Sequence, residues 1–415
     1  MQGKQVLIIG NGTGGFQAAS ALRDAGHEGP ITLIGDEAPL PYHRPPLSKA
    51  YLLGQMDEPR LLLRQANFYE EKKIDLVCGR RAVSIDRLQR RVTLDDGTQL
   101  PYDHLLLATG ARNRPLTVPG SELAGVHYMR TMQDALQLKQ ELGQATDAVV
   151  IGAGFIGLEF AAAARKAGLN VTVLDVAQRA MGRAVSPHVS AVFERAHRRD
   201  GTRLLFGTGV SVLLGEGGRV RAVQTSDGQE IPCQLVVVGI GVLPNQEIAR
   251  DAGLAVGNGI EVDACMRTSD PAISAIGDVA SFPCVQAGGE RVRLESVQGA
   301  NDQARLFAQV LVKGTAAPYS ALPWFWSDQG PLKLQIAGLT TGFDRAVVQG
   351  QDGEDACSVF CFRGERLLGV ESINRPADHM AARKLLAPGA TLQLTPEQAA
   401  ADGFELKSFV LQPAD

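Results

Sequence analysis

The chain has no C-x-x-C cysteine pair and no long apolar run, and each absence removes a class of protein. Six cysteines stand in 415 residues (Cys78, Cys233, Cys265, Cys284, Cys357 and Cys361), and no two of them form C-x-x-C. That excludes a thioredoxin-type dithiol and zinc-knuckle spacing, so no metal site is expected. No apolar stretch approaches the ~18 residues of a membrane span. Neither sign of charge dominates: 41 Lys and Arg against 45 Asp and Glu leave a net charge of −4, so no nucleic-acid partner is expected. The first predicted strand opens at Val6, leaving no room ahead of it for the apolar core of a signal peptide, and the protein is expected in the cytoplasm. A length of 415 residues exceeds what one core usually organises, which implies two or three domains.

What is present is a repeat. Val6-Leu7-Ile8-Ile9 runs into Gly10, Gly12 and Gly15, and Ala148-Val149-Val150-Ile151 runs into Gly152, Gly154 and Gly157. Each G-x-G-x-x-G opens an alanine-rich helical pattern, about 16–25 and 156–167, closed by Gly26 and Gly168. A second apolar run follows each helix and ends near an acid, Asp36 and Asp175. One such glycine motif is a weak signal. Two copies in the right context imply two nucleotide-binding α/β units.

A hairpin pattern follows each unit, at 91–102 and 220–231, and leads into an apolar strand ending at Ala108-Thr109-Gly110 and at Gly239-Ile240-Gly241. A further strand ends at Ile276-Gly277-Asp278. Past residue 323 short β-like runs and two helices, about 376–386 and 395–402, suggest a third, α+β domain. The expected division is a nucleotide domain over 1–112 and 241–322, a second one over 113–240, and a C-terminal domain over 323–415.

Glycines at the turn let the backbone approach a pyrophosphate at a helix N-terminus, where free amides and the dipole favour anions. Asp36 is placed for an adenosine ribose. Asp175 pairs with a free 2′-hydroxyl and repels a 2′-phosphate, which favours NADH over NADPH, although Arg179 and Arg183 lie near. Glu159 stands two residues after Gly157, either as a dipole-complementing glutamate or aimed at the nicotinamide carboxamide.

An ordered set of segments resembles the FAD-dependent ferredoxin reductases of cytochrome P450 and Rieske-type oxygenase systems. It comprises Arg44-Pro45-Pro46-Leu47-Ser48-Lys49, Leu106-Leu107-Ala108-Thr109-Gly110, the stretch 152–159, Ala275-Ile276-Gly277-Asp278-Val279-Ala280, Glu295-Ser296-Val297 and Pro323-Trp324-Phe325-Trp326-Ser327-Asp328-Gln329. The resemblance implies a glutathione-reductase-like α/β fold, with an inserted NAD domain in the FAD domain and a C-terminal α+β domain. It implies non-covalent FAD at Gly10, Gly12, Gly14, Gly15, Asp36, Arg44, Pro46, Lys49, Val83, Ala108, Thr109, Gly110, Arg130, Gly277, Asp278, Glu295, Ser296, Val297 and Trp324. NADH is assigned to Gly152, Gly154, Phe155, Ile156, Gly157, Glu159, Asp175, Arg183, Gly239, Ile240 and Gly241. Lys49, Glu159, Trp324 and Trp326 are expected nearest the chemistry, and Arg305, Trp326 and Lys333 on the face that docks a [2Fe–2S] ferredoxin.

The implied reaction carries hydride from NADH to FAD and single electrons onward to the ferredoxin, in a monomer. No cysteine occurs before Cys78, which argues against disulfide reductases, NADH peroxidases and water-forming oxidases on this fold. Rubredoxin reductase is the near alternative. A signalling flavoprotein resembling apoptosis-inducing factor is the distant one.

Overall fold

Two parallel sheets that share the order of four of their five strands organise the chain. The computed structural model describes residues 3–314, 318–351 and 353–410. By internal contacts it divides into two compact units. The first is Met1–His43, Glu58–Arg112 and Leu243–Pro323; the second is Arg44–Asp57, Asn113–Val242 and Trp324–Asp415.

In the first unit the sheet order is Ile273–Ala275, His104–Leu107, Val6–Ile9, Ile31–Gly35, Ile74–Cys78, every pair parallel. In the second it is Val126–Tyr128, Leu235–Val238, Asp147–Ile151, Asn170–Asp175, Arg203–Phe206, again all parallel. The central strands, Val6–Ile9 and Asp147–Ile151, are almost wholly buried, as continuous apolar runs flanked by parallel neighbours should be. The glycine motifs follow them directly. Helices Thr13–Asp24 and Phe155–Lys166 start one residue after the middle glycine of each motif.

Each expected hairpin is the core of a three-stranded antiparallel sheet. The first adds Ala82–Asp86 to Arg91–Leu94 and Gln99–Pro101, and the second adds Val210–Glu216 to Arg219–Thr225 and Glu230–Pro232. Helices Met132–Leu142 and Pro187–Arg199 were not anticipated.

The C-terminal part of the second unit is a five-stranded antiparallel sheet in the order Trp324–Gln329, Leu332–Gly338, Arg366–Ile373, Cys357–Arg363, Arg345–Gln349. The tryptophan segment, read in sequence only as a motif, is therefore a strand. The two expected helices form over Pro376–Leu385 and, more briefly, Pro396–Ala400.

Candidate dinucleotide sites

The first and last glycines of both motifs are sterically required. A Cβ on Gly10 would stand 2.1 Å from the Ala108 carbonyl oxygen, and one on Gly15 would stand 1.8 Å from the Gly10 oxygen. In the second motif the corresponding gaps are 2.4 Å from Gly152 to the Gly239 oxygen and 2.1 Å from Gly157 to the Gly152 oxygen. Gly10 and Gly152 also sit at φ +107 and +109, which L side chains rarely adopt. The middle glycines differ. A Cβ on Gly12 meets nothing within 4 Å among the described residues, and one on Gly154 only the Gly239 oxygen at 3.9 Å. Gly12 and Gly154 are also the N-caps, so the first-turn amides of both helices have no capping side chain. Each turn thus offers open space and unpaired donors where a pyrophosphate would lie, and the residues present fit a dinucleotide.

In the first unit Ala108, Thr109 and Gly110 follow the strand His104–Leu107. Asn245, which sequence reasoning did not single out, straps this turn. Its amide nitrogen Nδ2 donates to the Thr109 carbonyl at 2.8 Å, while the Thr109 hydroxyl donates to the Asn245 carbonyl at 2.7 Å. Gly277 and Asp278 lie in a 3₁₀ turn after Ile273–Ala275, and the Gly277 amide donates to buried Gln303 at 2.7 Å. Arg293 donates to the Asp278 carbonyl at 2.9 Å and pairs with Glu295 at 2.7 Å. Ser296 caps the helix Val297–Lys313, accepting from the Gly299 amide at 2.9 Å. Asp36 is mostly exposed, its nearest cation Arg81 at 3.8 Å. A Cβ on Gly14 would make only ordinary contacts with Ile276 and Ala300. Val83 lies at a β-bulge and is 51% exposed, an uncommon exposure for a β-branched apolar side chain that the bulge turns outward. Arg305 is exposed and pairs with Asp302 at 2.9 Å.

In the second unit Asp175 turns back onto the glycine loop. One of its oxygens accepts from the Ala153 amide at 2.6 Å and the other from the Ala177 amide at 2.8 Å. A carboxylate with two amides already bound keeps further lone pairs for hydroxyl donors. Gly239, Ile240 and Gly241 follow the strand Leu235–Val238, and a Cβ on Gly241 would come 3.9 Å from the exposed Arg183 guanidinium. Phe155 is half-buried and Ile156 is 44% exposed at the helix start.

Glu159 is buried at 4% exposure. Its Oε2 pairs with the Lys49 ammonium at 2.6 Å and accepts from the Ser48 hydroxyl at 2.6 Å; Oε1 accepts from Ser327 at 2.7 Å. Lys49 also donates to the Pro45 carbonyl at 3.3 Å. The segment that presents Lys49 is the 3₁₀ turn Pro45–Ser48, whose prolines fix φ and so the direction of the side chain that follows. Pro46 accepts from the Lys49 amide at 3.0 Å, and Arg44 reaches the Arg130 carbonyl at 2.7 Å. The structure thus brings together Arg44, Pro46, Lys49, Arg130 and Glu159, residues that are far apart in sequence.

Trp324 and Trp326 are half-buried, with ring centroids 5.6 Å apart, and the Arg383 guanidinium lies 4.6 Å over the Trp324 ring. Lys333 is exposed on the neighbouring strand, opposite Asp328. The six cysteines form no disulfide with one another, and burial pushes the Cys78 thiol up. No group of metal-ligating side chains occurs among the described residues, and no helix among them is long and apolar enough to cross a membrane.

Two parallel-sheet units, each with an uncapped glycine turn, define a flavin- and nicotinamide-dependent oxidoreductase. The chain belongs to the pyridine nucleotide-disulphide oxidoreductase family, whose model matches residues 4–304, and a reductase C-terminal model matches 324–410. Its cofactors are FAD and a nicotinamide dinucleotide. It is 52% identical to rhodocoxin reductase of Rhodococcus erythropolis over 99% of this chain and 95% of that protein. The ferredoxin reductase for the CYP199A2 system from Rhodopseudomonas palustris matches at 50% identity and a TM-score of 0.94, covering 98% of this chain and 99% of that one. The reductase in a covalent putidaredoxin reductase–putidaredoxin complex matches at 40% identity and a TM-score of 0.94, covering 99% of both chains.

Proposed function

We propose that this chain is the NADH-dependent reductase of a [2Fe–2S] ferredoxin that feeds a P450 or Rieske-type oxygenase. The observation that carries the reading is the likeness, at 40–52% identity over nearly the whole chain, to reductases named for such systems. Bound FAD would supply the step from two-electron to one-electron chemistry, and the protein would supply binding, orientation and charge.

In this reading residues 1–112 and 241–322 hold FAD, 113–240 hold NADH, and 323–415 form the C-terminal domain. Gly10, Gly12, Gly15 and Asp36 take the adenine end of FAD, Asp278 and the start of the helix at Val297 take its other end, and Lys49 and Arg130 offset its negative charge. Gly152, Gly154, Gly157 and Asp175 take NADH. The carboxylate of Asp175 beside the glycine turn supports NADH over NADPH. Arg305, Trp326 and Lys333 serve the ferredoxin. Six cysteines without a disulfide among them suit the reducing cytoplasm. The protein acts as a monomer with FAD held non-covalently.

The test is cytochrome c reduction by the purified flavoprotein with NADH, with and without a [2Fe–2S] ferredoxin. A large ferredoxin-dependent rate, with NADPH a poor donor, is expected. Ferricyanide reduction without ferredoxin stimulation would overturn the partner assignment and turn attention to rubredoxin. Arg305→Glu should weaken the ferredoxin-coupled rate and spare ferricyanide reduction.

A further inference from the structure

The strand Trp324–Gln329 has two faces. Trp324 and Trp326 alternate with Phe325, Ser327 and Gln329, and in an extended strand these sets point to opposite sides. Phe325 meets Phe155 at the start of the helix Phe155–Lys166, with ring centroids 4.6 Å apart. Ser327 donates to Glu159 on that same helix at 2.7 Å. Behind it the chain of donors continues. Gln329 donates to the Ser327 hydroxyl oxygen at 3.3 Å, and Gln329 Oε1 is 3.0 Å from His197 Nε2. With the imidazole N–H toward Gln329, every donor from His197 inward points at the Glu159 carboxylate.

All four side chains are nearly sealed from solvent: His197 is 5% exposed, Gln329 3%, Ser327 0% and Glu159 4%. The one member left open is Lys49, at 22%. A buried carboxylate needs its lone pairs filled, and here two hydroxyls and an ammonium fill them. Serial donors also polarise one another in a low dielectric, so the outer members strengthen the innermost bond.

We infer that Ser327, braced by Gln329 and His197, is a positioning residue for the Lys49–Glu159 pair. It fixes the carboxylate that in turn aims the Lys49 ammonium. The strand that carries the tryptophans on one face thereby sets, with its other face, the geometry of the pair whose Lys49 the proposed function sets against the charge of FAD. The inference rests on that reading for the location of the pair, and on the hydrogen bonds alone for its connectivity.

The experiment uses the purified holoprotein, with stopped-flow reduction by NADH in the absence of any protein partner. Ser327→Ala should lower the limiting reduction rate about tenfold, equivalent to ~1.4 kcal/mol, with the NADH Kd within about twofold and flavin content unchanged. Ser327→Thr should restore the rate. A wild-type rate in Ser327→Ala overturns the inference, as does equal impairment of the alanine and threonine variants. Should Ser327→Ala fail to fold, Gln329→Met removes the brace at similar volume and should show the same split at about threefold; a wild-type rate there overturns the inference too. The visible absorption of the oxidised flavin, read without NADH, should shift between wild type and Ser327→Ala, and superimposable spectra overturn the inference. If NADH does not reduce even the wild type, the functional reading fails, and the oxidised spectra still decide the role of Ser327.

Discussion

The two nucleotide units share the order of four of their five strands and their glycine turns, yet they are out of register by one residue where the acid sits. Ile9 pairs with Ile34 in the first sheet and Ile151 with Leu174 in the second, so Gly35, not Asp36, occupies the place of Asp175. In the second unit the Asp175 carboxylate reaches back to the glycine loop at Ala153. In the first, that space is taken by Asn11, whose buried side chain would lie 2.0 Å from a Cβ on Gly35. Asp36 is left one step further out. The same architecture therefore ties its phosphate turn to the second strand by a carboxylate in one copy, whereas in the other the Asn11 amide packs over Gly35 and donates to Cys78 Sγ at 3.9 Å on the strand beyond. A second difference lies two residues past the last glycine, where the first unit has half-buried Gln17 and the second has buried Glu159 with its Lys49 partner.

The sharpest way to break this comparison is Gly35→Asp, which imports the arrangement of the second unit into occupied space. It should cost about 3 kcal/mol of stability by chemical denaturation, and Asn11→Ala in the same chain should recover at least half of that. Additive losses in the double variant would mean that the two sites are not equivalent. Next come Gly12→Val and Gly154→Val. Their side chains enter open space, so the fold should survive while the ligand loses its seat. Gly12→Val should weaken FAD retention on dilution about a hundredfold; Gly154→Val should keep its flavin and lose NADH affinity by a similar factor.

A pH experiment separates the units at smaller scale. His104 in the first and His379 in the second are buried, and burial is the main cause that lowers each pKa to about 4 from 6.5. The unfolded chain takes up the extra proton first as pH falls below 6.5. Stability from each neutral ring is therefore complete above that pH and declines toward pH 4. By pH 5 each should account for about 2 kcal/mol, measured as the difference between wild type and His104→Gln or His379→Gln. His104 has Ser274 as a partner at 3.1 Å, whereas neither ring nitrogen of His379 has one among the described residues, so His379→Gln should be the harder replacement to tolerate at neutral pH. Smallest is Asp175→Asn, which keeps an acceptor for Ala153 and loses charge. The NADH KM should rise about threefold to tenfold and the bias against NADPH should narrow, as steady-state kinetics with both donors would show.

Much of this was legible in the chain. Glycines that must be glycine leave a mark at fixed spacing, and continuous apolar runs mark buried parallel strands, so both turns and both central strands could be read directly. The acids were also visible, but their register was not. It depends on the connections between helix and second strand, which differ in length and carry no periodic signal. Asn245, Gln303 and Arg293 act through hydrogen bonds to backbone groups distant in sequence, which spacing does not reveal. Ser327 lay inside a recognised motif, yet the tryptophans beside it drew the reading to one face of what proved to be a strand. The pairing of Glu159 with Lys49 and Ser327 joins three separated segments and only folding shows it.

The origin of the outermost strand differs between the two sheets, and this bears on the order in which a growing chain can close them. Val126–Tyr128 precedes the rest of its sheet in sequence, whereas Ile273–Ala275 arrives after all of its partners and after the whole intervening sheet has been made. During N-to-C synthesis the inner sheet can therefore complete its strand set before the outer one, although the outer one begins first. Glu159 also waits: its last donor, Ser327, is synthesised 168 residues later, so the Lys49–Glu159 pair is fully held only when the strand Trp324–Gln329 has been made.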